Sequence, residues 1–335
     1  MSAADHRSTR HQPWLERFSC LALVFAVMVI TMGGETTSNG AGMAFQSWPL
    51  SNGSLDPAGW LTNYHMFLEH SHRLLAGTTA ILTLIAAIWV HFTDARAWVR
   101  RLAWILLGVI LLQAVLGGMR VLMDPSNTHA LSDTVEQIFA VSHATCAEIT
   151  LVLWVTLAVA LSYGWMVRGT GINLNAPAVR RWGHITCAII LLQIIVGAIM
   201  RQGGYIFAIP TNYFPFAGPN HALLPPVWSW PVAVNFAHRL GACFVTIALI
   251  GLAVSVFRNP AARKQLGSWM ALVIIALLAQ LFLGSEVIMT NKNPNVATLH
   301  LLGGAFLLAS TWLLTFISYR SKWWPEDAAV QSASS

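Results

Sequence analysis

Charged residues are scarce in this chain. Asp, Glu, Lys and Arg make up 10% of its 335 residues, whereas hydrophobic residues make up 56%. A typical soluble protein carries about 25% charged residues, so this chain has too little polar side-chain surface to cover a globule in water. The composition excludes a soluble globular protein and predicts an all-α integral membrane protein.

Cysteine is also scarce, and its placement excludes two common kinds of site. The chain has four cysteines, each within an apolar run and none sharing a loop with another: Cys20, Cys146, Cys187 and Cys243. The sequence therefore has no CxxC metal motif and no pair suited to an extracellular disulfide. We expect buried free thiols.

A basic cluster and a cleavage site are missing as well. The formal net charge is +6, but the basic residues are scattered near the ends of apolar runs, so we expect no nucleic-acid partner. The first apolar run follows a polar, basic N-terminus and lacks a small-residue cleavage site. We therefore expect no cleavable signal peptide.

The apolar runs predict eight transmembrane helices, because about 20 apolar residues cross a bilayer. The predicted spans are residues 18–34, 67–90, 102–123, 137–163, 182–200, 231–257, 269–290 and 297–318. Of the 19 Lys and Arg residues, 14 fall in the two tails and in the loops on one side. Since cytoplasmic loops carry the excess of Lys and Arg, we expect a multi-pass protein of the cell's inner (cytoplasmic) membrane with both termini in the cytoplasm.

An internal repeat divides the chain. The third, fifth and seventh spans share a glutamine followed four residues later by a glycine: Gln113 and Gly117, Gln193 and Gly197, Gln280 and Gly284. We interpret this repeat as two tandem four-helix bundles related by a parallel duplication. The predicted parts are a cytoplasmic tail (1–17), a first half (18–163), a cytoplasmic linker (164–181), a second half (182–318) and a second cytoplasmic tail (319–335).

Four histidines lie near the start of the even-numbered spans: His72, His143, His238 and His300. If the termini are cytoplasmic, every even span begins at the outer surface, so the four imidazoles should share one depth. Two per half is the number that fills both axial positions of one haem iron. The alternatives are interhelical hydrogen bonds and a zinc site, which usually adds further ligands.

Three charged residues accompany these histidines. Arg73 and Arg239 directly follow theirs and are candidates to bind haem propionates; the alternative is that they extend to the outer interface. Glu69 shares a helix face with His72, whereas the residue three before His238 is Asn235. This asymmetry predicts chemistry in the first half and electron transfer or structure in the second. The alternative for Glu69 is an ion pair with a nearby arginine.

Together these residues resemble the haem A synthases of cytochrome oxidase assembly, a family with eight spans in two four-helix halves. The family's Glu-x-x-His-Arg motif is matched by Glu69, His72 and Arg73, and its other haem-ligand positions resemble His143, His238-Arg239 and His300. Gly33-Gly34 and the step from Gln113 to Gly117 are also similar, and the resemblance covers about residues 17–318. Two features depart from it. The chain lacks the outer-loop cysteine pair of many bacterial members, so no thiol-dependent step is implied, and Glu35-Thr36-Thr37 follow the glycine pair where many members have Thr-Arg.

The resemblance implies that the methyl group at position 8 of haem O is oxidised to a formyl group, by successive hydroxylation to a gem-diol that loses water. It implies that His72 and His143 hold the substrate haem O, with Glu69 as a base or cation stabiliser. It also implies that His238 and His300 hold a haem b that carries electrons away. The implied partners are haem O, the haem O synthase that supplies it, membrane lipid and an unidentified electron acceptor; a homo-oligomer stays open.

Two other functions stay open from the residues alone. A bis-histidine cytochrome b would carry electrons between a quinone and a partner, and a haem transporter or chaperone would move the cofactor. A symmetric carrier needs no carboxylate in one half, so Glu69 favours the synthase.

Overall fold

The computed structural model describes residues 10–124, 133–168, 176–209, 217 and 222–320. In this part of the chain the structure is all-helical, with eight helices long and apolar enough to cross a membrane and no β-strand. The eight helices are α1 Pro13–Ser38, α2 Tyr64–Thr93, α3 Ala97–Leu122, α4 Asp133–Leu161, α5 Pro177–Gln202, α6 Trp230–Arg258, α7 Pro260–Met289 and α8 Pro294–Ile317. The predicted all-α membrane fold is confirmed. Residues 1–9 and 321–335 of the predicted tails lie outside the described residues.

Most helices begin several residues before the apolar run that predicts them. Proline occupies one of the first two positions of five helices: Pro13, Pro177, Pro231, Pro260 and Pro294. Proline fits there because its missing N–H would have no partner in the first turn. The side chains of Asn63 and Asn259 cap α2 and α7 by accepting backbone N–H bonds. Hydropathy does not register these polar signals, so it places the helix starts too late.

The helices form two four-helix bundles of the same plan. In the first half each helix packs against the next, and α1 closes the ring on α4. The second half repeats this order, with α5 closing on α8. Between the halves, α1 and α4 pack on α8, and α4 also packs on α5. The shared plan is consistent with a duplication, which stays a prediction.

The four cysteines are all free, as expected, but they are not all buried. Cys146 is buried, Cys187 and Cys243 are partly buried, and Cys20 is exposed on α1. The expectation of a buried thiol is therefore wrong for Cys20. A lipid-facing helix surface is as apolar as a core, so composition cannot separate the two.

A first loop, residues 39–63, folds back over the end of the first bundle. Within it Phe45 and Ser51 are buried. The Trp48 ring packs so closely on Gly118 of α3 that a Cβ at that position would overlap the ring. The first loop is thus part of the fold near the starts of α2 and α4.

The predicted topology can be tested by cysteine labelling at two exposed positions. Ala58 lies in the first loop and Ala97 begins α3. If the termini are cytoplasmic, an impermeant thiol reagent applied to intact cells labels Ala58→Cys but not Ala97→Cys, because only the first loop faces outward. The unsubstituted protein measures labelling of the native cysteines. Labelling of Ala97→Cys alone would reverse the topology.

Candidate functional site

The four histidines meet as two pairs, one in each bundle. His72 of α2 and His143 of α4 have ring centroids 6.4 Å apart with ring planes at 90°. His238 of α6 and His300 of α8 have centroids 6.5 Å apart with planes at 79°. The helices therefore bring together the same partners that the repeat pairs in each half.

Each imidazole lies against a glycine on the preceding odd-numbered helix. A Cβ added to that glycine would come within 2.8–3.0 Å of the histidine Cε1 atom, closer than side chains normally approach. The contacts are Gly33 with His72, Gly117 with His143, Gly197 with His238 and Gly284 with His300. Any larger residue at these four positions would displace the ring, so the glycines fix where the imidazoles lie.

Hydrogen bonds at Nδ1 orient two of the rings in the first half. His72 Nδ1 lies 3.2 Å from the Val29 carbonyl oxygen, and His143 Nδ1 lies 3.0 Å from that of Gln113. In the second half His238 Nδ1 lies 3.1 Å from the Gln193 side-chain amide. A carbonyl acceptor keeps the proton on Nδ1 of His72 and His143, which leaves their Nε2 atoms free to act as ligands.

Both pairs have the spacing of a bis-histidine haem site. An imidazole nitrogen binds a metal at about 2.0–2.1 Å and lies about 1.1 Å from the centre of its ring, so an iron held in line between two imidazoles separates their centroids by about 6.3 Å. The separations of 6.4 and 6.5 Å match this value. Zinc would need more ligands, and the described residues contain no group of three or more His, Cys, Asp or Glu that could hold a metal ion. The donor sets fit haem.

Glu69 is buried at the start of α2 and is bonded to the first loop. Its Oε2 atom accepts a hydrogen bond of 2.9 Å from the Phe45 backbone N–H, and its Oε1 atom pairs with the Arg73 guanidinium. The ion pair that the sequence leaves as the alternative for Glu69 is therefore present. It does not exclude a chemical role, because a paired carboxylate beside a cofactor can still exchange protons.

The two arginines that follow their histidines are bonded to loop backbone. Arg73 donates to the carbonyl oxygens of Ser47 at 2.6 Å and Phe45 at 3.2 Å. Arg239 donates to the Ile209 carbonyl oxygen at 3.1 Å. Both residues join an even-numbered helix to the loop before it, and their binding of propionates stays a prediction.

Asn235 occupies the position that corresponds to Glu69. It also bonds its helix to the preceding loop, but as a hydrogen-bond donor and not as an acceptor. Its Nδ2 atom donates to the carbonyl oxygens of Tyr205 at 2.9 Å and Ile206 at 2.8 Å. Glu69 accepts from loop backbone, whereas Asn235 donates to it. The helix-to-loop link is thus common to both halves, and at this position only the first half has a carboxylate.

Two residues of interest are missed by the sequence reasoning. His70 is buried, with Nδ1 2.9 Å from Ser51 Oγ and Nε2 3.1 Å from the Leu55 carbonyl oxygen, so it holds the first loop. Glu148 of α4 is buried, and its Oε2 atom has no hydrogen-bond partner among the described residues. The available signal for Glu148 was an acidic residue deep within an apolar run.

The glycine contacts predict a sharp difference between two substitutions in α7. Gly284→Ala places a Cβ 3.0 Å from His300 Cε1, whereas Gly267→Ala places one 3.7 Å from the nearest atom, an ordinary contact. Overpacking of this kind costs about 1–3 kcal/mol, so the purified Gly284→Ala protein should contain less haem or show a shifted Soret band. Gly267→Ala is the matched control. Equal spectra for both variants would show that the glycine does not position His300.

Comparison with known proteins identifies the family of this chain. Residues 62–312 match a family model described as cytochrome oxidase assembly protein. A protein named "Heme A synthase" from Geobacillus kaustophilus (strain HTA426) is 24% identical, over 97% of this chain and 96% of its own length. Proteins of the same name from Listeria monocytogenes serotype 4a (strain HCC23) and Staphylococcus haemolyticus (strain JCSC1435) are each 26% identical, over 92% and 88% of this chain and 97% and 90% of their own lengths. Because the family model covers more than half of the chain, including all four paired histidines, the chain belongs to the cytochrome oxidase assembly family of haem A synthases.

Proposed function

We propose that this protein is a haem A synthase that oxidises the C8 methyl group of haem O to a formyl group by successive hydroxylation. The observation that carries the proposal is the combination of two equivalent histidine pairs with a carboxylate, Glu69, three residues before His72 where Asn235 stands before His238. Two equal sites without Glu69 would suit an electron carrier. This asymmetry gives the first-half site a group that can exchange protons. The second-half site, without such a group, is suited to electron transfer.

His72 and His143 hold the substrate haem O in the first half (residues 18–163). Their perpendicular rings and the glycines behind them would fix the position of an iron bound between them. Iron porphyrin supplies redox chemistry when bound, while the protein supplies position and proton transfer. Precise placement of the reacting methyl group is the main contribution of the two imidazoles.

Glu69 lies one helical turn before His72 and acts on the methyl group as a base or as a stabiliser of developing positive charge. Arg73 and the Phe45 amide hold the carboxylate oxygens in place. A carboxylate fixed in this way needs little reorganisation when charge develops nearby. The first loop, with Trp48 against Gly118, limits the access of water to this region.

His238 and His300 would hold a haem b in the second half (residues 182–318), and a haem b bound there would supply electron transfer to an unidentified acceptor. Arg73 and Arg239 assist by pairing with propionates at the ends of α2 and α6. The partners are haem O, the haem O synthase that supplies it, and membrane lipid. The protein lies in the inner membrane with both termini in the cytoplasm, and residues 164–181 form a cytoplasmic linker between the halves.

A bis-histidine cytochrome b that carries electrons is the second candidate. The near-equal separations of 6.4 and 6.5 Å favour it, because two alike haem sites are what a transmembrane electron carrier needs. The Glu69–Arg73 ion pair gives the carboxylate a structural role that this function could share. Extraction of pigment separates the candidates: a synthase yields haem O or its oxidised derivatives beside haem b, and a carrier yields haem b alone.

Ligation of haem b by the second pair can be tested by substitution. Replacing His238 or His300 with Ala removes one axial ligand, so we expect loss of the low-spin haem b absorption or a shift in its midpoint potential. His65→Ala changes an exposed imidazole of α2 and is the control. An unchanged spectrum in both ligand variants would reject the assignment.

The role of Glu69 can be tested with Glu69→Gln. The amide keeps an oxygen that can accept the Phe45 N–H bond, so we expect the fold and both haem sites to persist. Conversion should fall by about 10²–10⁴-fold, the usual effect of losing a positioned base, because a neutral amide neither takes a proton nor stabilises positive charge. Haem O and partly oxidised haem should accumulate, measured by extraction and chromatography.

Two control variants separate chemistry from loop attachment in this test. Ser51→Ala removes the hydroxyl that contacts His70, so it loosens the first loop and leaves Glu69 intact. Asn235→Asp adds a carboxylate at the corresponding position of the second half. We expect neither to reduce conversion as Glu69→Gln does. If Ser51→Ala reduces it equally, or if Glu69→Gln makes haem A at the normal rate, Glu69 is only an ion-pair partner.

A further inference from the structure

Three of the four paired histidines are held by the same side chain-to-backbone hydrogen bond. A glutamine Nε2 on the neighbouring odd-numbered helix donates to the backbone carbonyl oxygen of the histidine. The bonds run from Gln113 to His143 at 2.9 Å, from Gln193 to His238 at 2.8 Å, and from Gln280 to His300 at 2.8 Å. Each bond ties the backbone of a histidine helix to the helix that carries its glycine.

The fourth histidine lacks this bond. Each glutamine stands four residues before the glycine that contacts the histidine, and the residue four before Gly33 is Val29. Valine has no side-chain donor. Among the described residues, no side chain is bonded to the His72 carbonyl oxygen. The imidazole itself is placed like the others, against Gly33 and near the Val29 carbonyl oxygen.

The helix that faces the missing glutamine is altered as well. In the second half Oε1 of Gln193 lies against Gly241 and Oε1 of Gln280 lies against Gly303, so closely that a Cβ at either glycine would overlap the amide. Both glycines stand three residues after their histidine. The residue three after His72 is Leu75, and the residue three after His143 is Cys146. The α1–α2 pair therefore lacks a side-chain donor at residue 29. It also has the larger Leu75 at the position that is glycine in both pairs of the second half.

The α2 helix packs on α1, but most of the hydrogen bonds that join α2 to other segments near His72 run to the first loop. Glu69 and Arg73 are bonded to Phe45 and Ser47 of the first loop. Bonds also join α1 to this part of α2: Thr36 Oγ1 donates to the Leu68 carbonyl oxygen at 3.2 Å, and His72 Nδ1 lies 3.2 Å from the Val29 carbonyl oxygen. Loops open at lower cost than packed helices.

The α6 helix is also bonded to a loop, through Asn235 and Arg239, but it keeps the Gln193 bond as well. What sets α2 apart is therefore loop attachment without a glutamine bond at its histidine.

We propose that His72 is the exchangeable axial ligand, the one that leaves the iron so that haem can enter and leave the first half. The inference rests on the proposed ligation of haem by the four histidines and extends it to the order of ligand release. A synthase must exchange substrate for product in one half while the other half keeps its haem. One hydrogen bond of this kind shifts the equilibrium between the bound and the released histidine by roughly 2- to 12-fold. The histidine that lacks the bond should therefore leave the iron first.

Binding of CO to the reduced protein measures this opening directly, because an iron with two histidine ligands binds CO only after one of them has left. The probe is full-length protein loaded with haem b in both halves. Variants that lack either histidine pair assign the kinetic phases to the halves. We expect the faster CO phase to belong to the first half.

The key variant gives the α1–α2 pair the two residues that stand at the corresponding positions of the α3–α4 pair. Val29→Gln with Leu75→Cys reproduces Gln113 opposite Cys146 and should slow the fast CO phase by roughly 2- to 12-fold. Val29→Leu with Leu75→Cys makes the same change at residue 75 and supplies no donor, so it should leave this phase unchanged. Equal rates for the two double variants would overturn the proposal, as would a faster CO phase in the second half.

A reciprocal variant keeps the proposal testable if the double variants do not fold. Gln280→Val removes the bond to the His300 carbonyl oxygen, and it should accelerate the slow CO phase by roughly the same factor. An unchanged slow phase would contradict the proposal. These measurements need no conversion of haem O, so their outcome does not depend on the proposed activity. A protein that releases His72 from the iron but makes no haem A would disprove only the synthase function.

Discussion

The structure depends on placing an imidazole in an apolar bundle where no water can satisfy its second nitrogen. A buried polar group without a partner is costly in such surroundings, and in the first half a backbone carbonyl approaches each ring. The Val29 and Gln113 carbonyls do so for His72 and His143. That approach is sterically allowed because the residue four positions later is glycine, and the ring occupies the space of the absent Cβ.

This local requirement explains the pairing of helices. Each histidine helix must pack tightly on the helix that supplies its glycine, which gives the pairs α1–α2, α3–α4, α5–α6 and α7–α8. Two such pairs face each other across a bundle and direct their imidazoles toward one centre. The Arg201 guanidinium then joins the halves, by donating from α5 to the Gly34 carbonyl oxygen at 3.0 Å and to Ser38 Oγ at 2.6 Å.

Residues with strong periodic or compositional signals are the ones that sequence predicts well. The eight spans, the pairing of His72 with His143 and the repeated Gln–Gly step follow from apolar runs and fixed spacings. The sequence does not predict the buried position of His70, because its partners Ser51 and Leu55 lie in a loop without periodicity. The repeat also shows Val29 as the one departure from the glutamine pattern. Only the structure gives that departure a meaning, because it shows that each glutamine is bonded to the backbone carbonyl oxygen of its histidine.

The comparison of Glu69 with Asn235 limits what a structural role alone can explain. Asn235 links helix to loop without a charge, so the link does not require a carboxylate in the membrane. A buried ion pair is often no more stabilising than a neutral replacement, because desolvating both charges offsets their attraction. Stability therefore gives no reason for the first half to keep Glu69 and Arg73 as a charged pair where an amide suffices in the second. A requirement for proton exchange or charge stabilisation beside the first histidine pair supplies that reason.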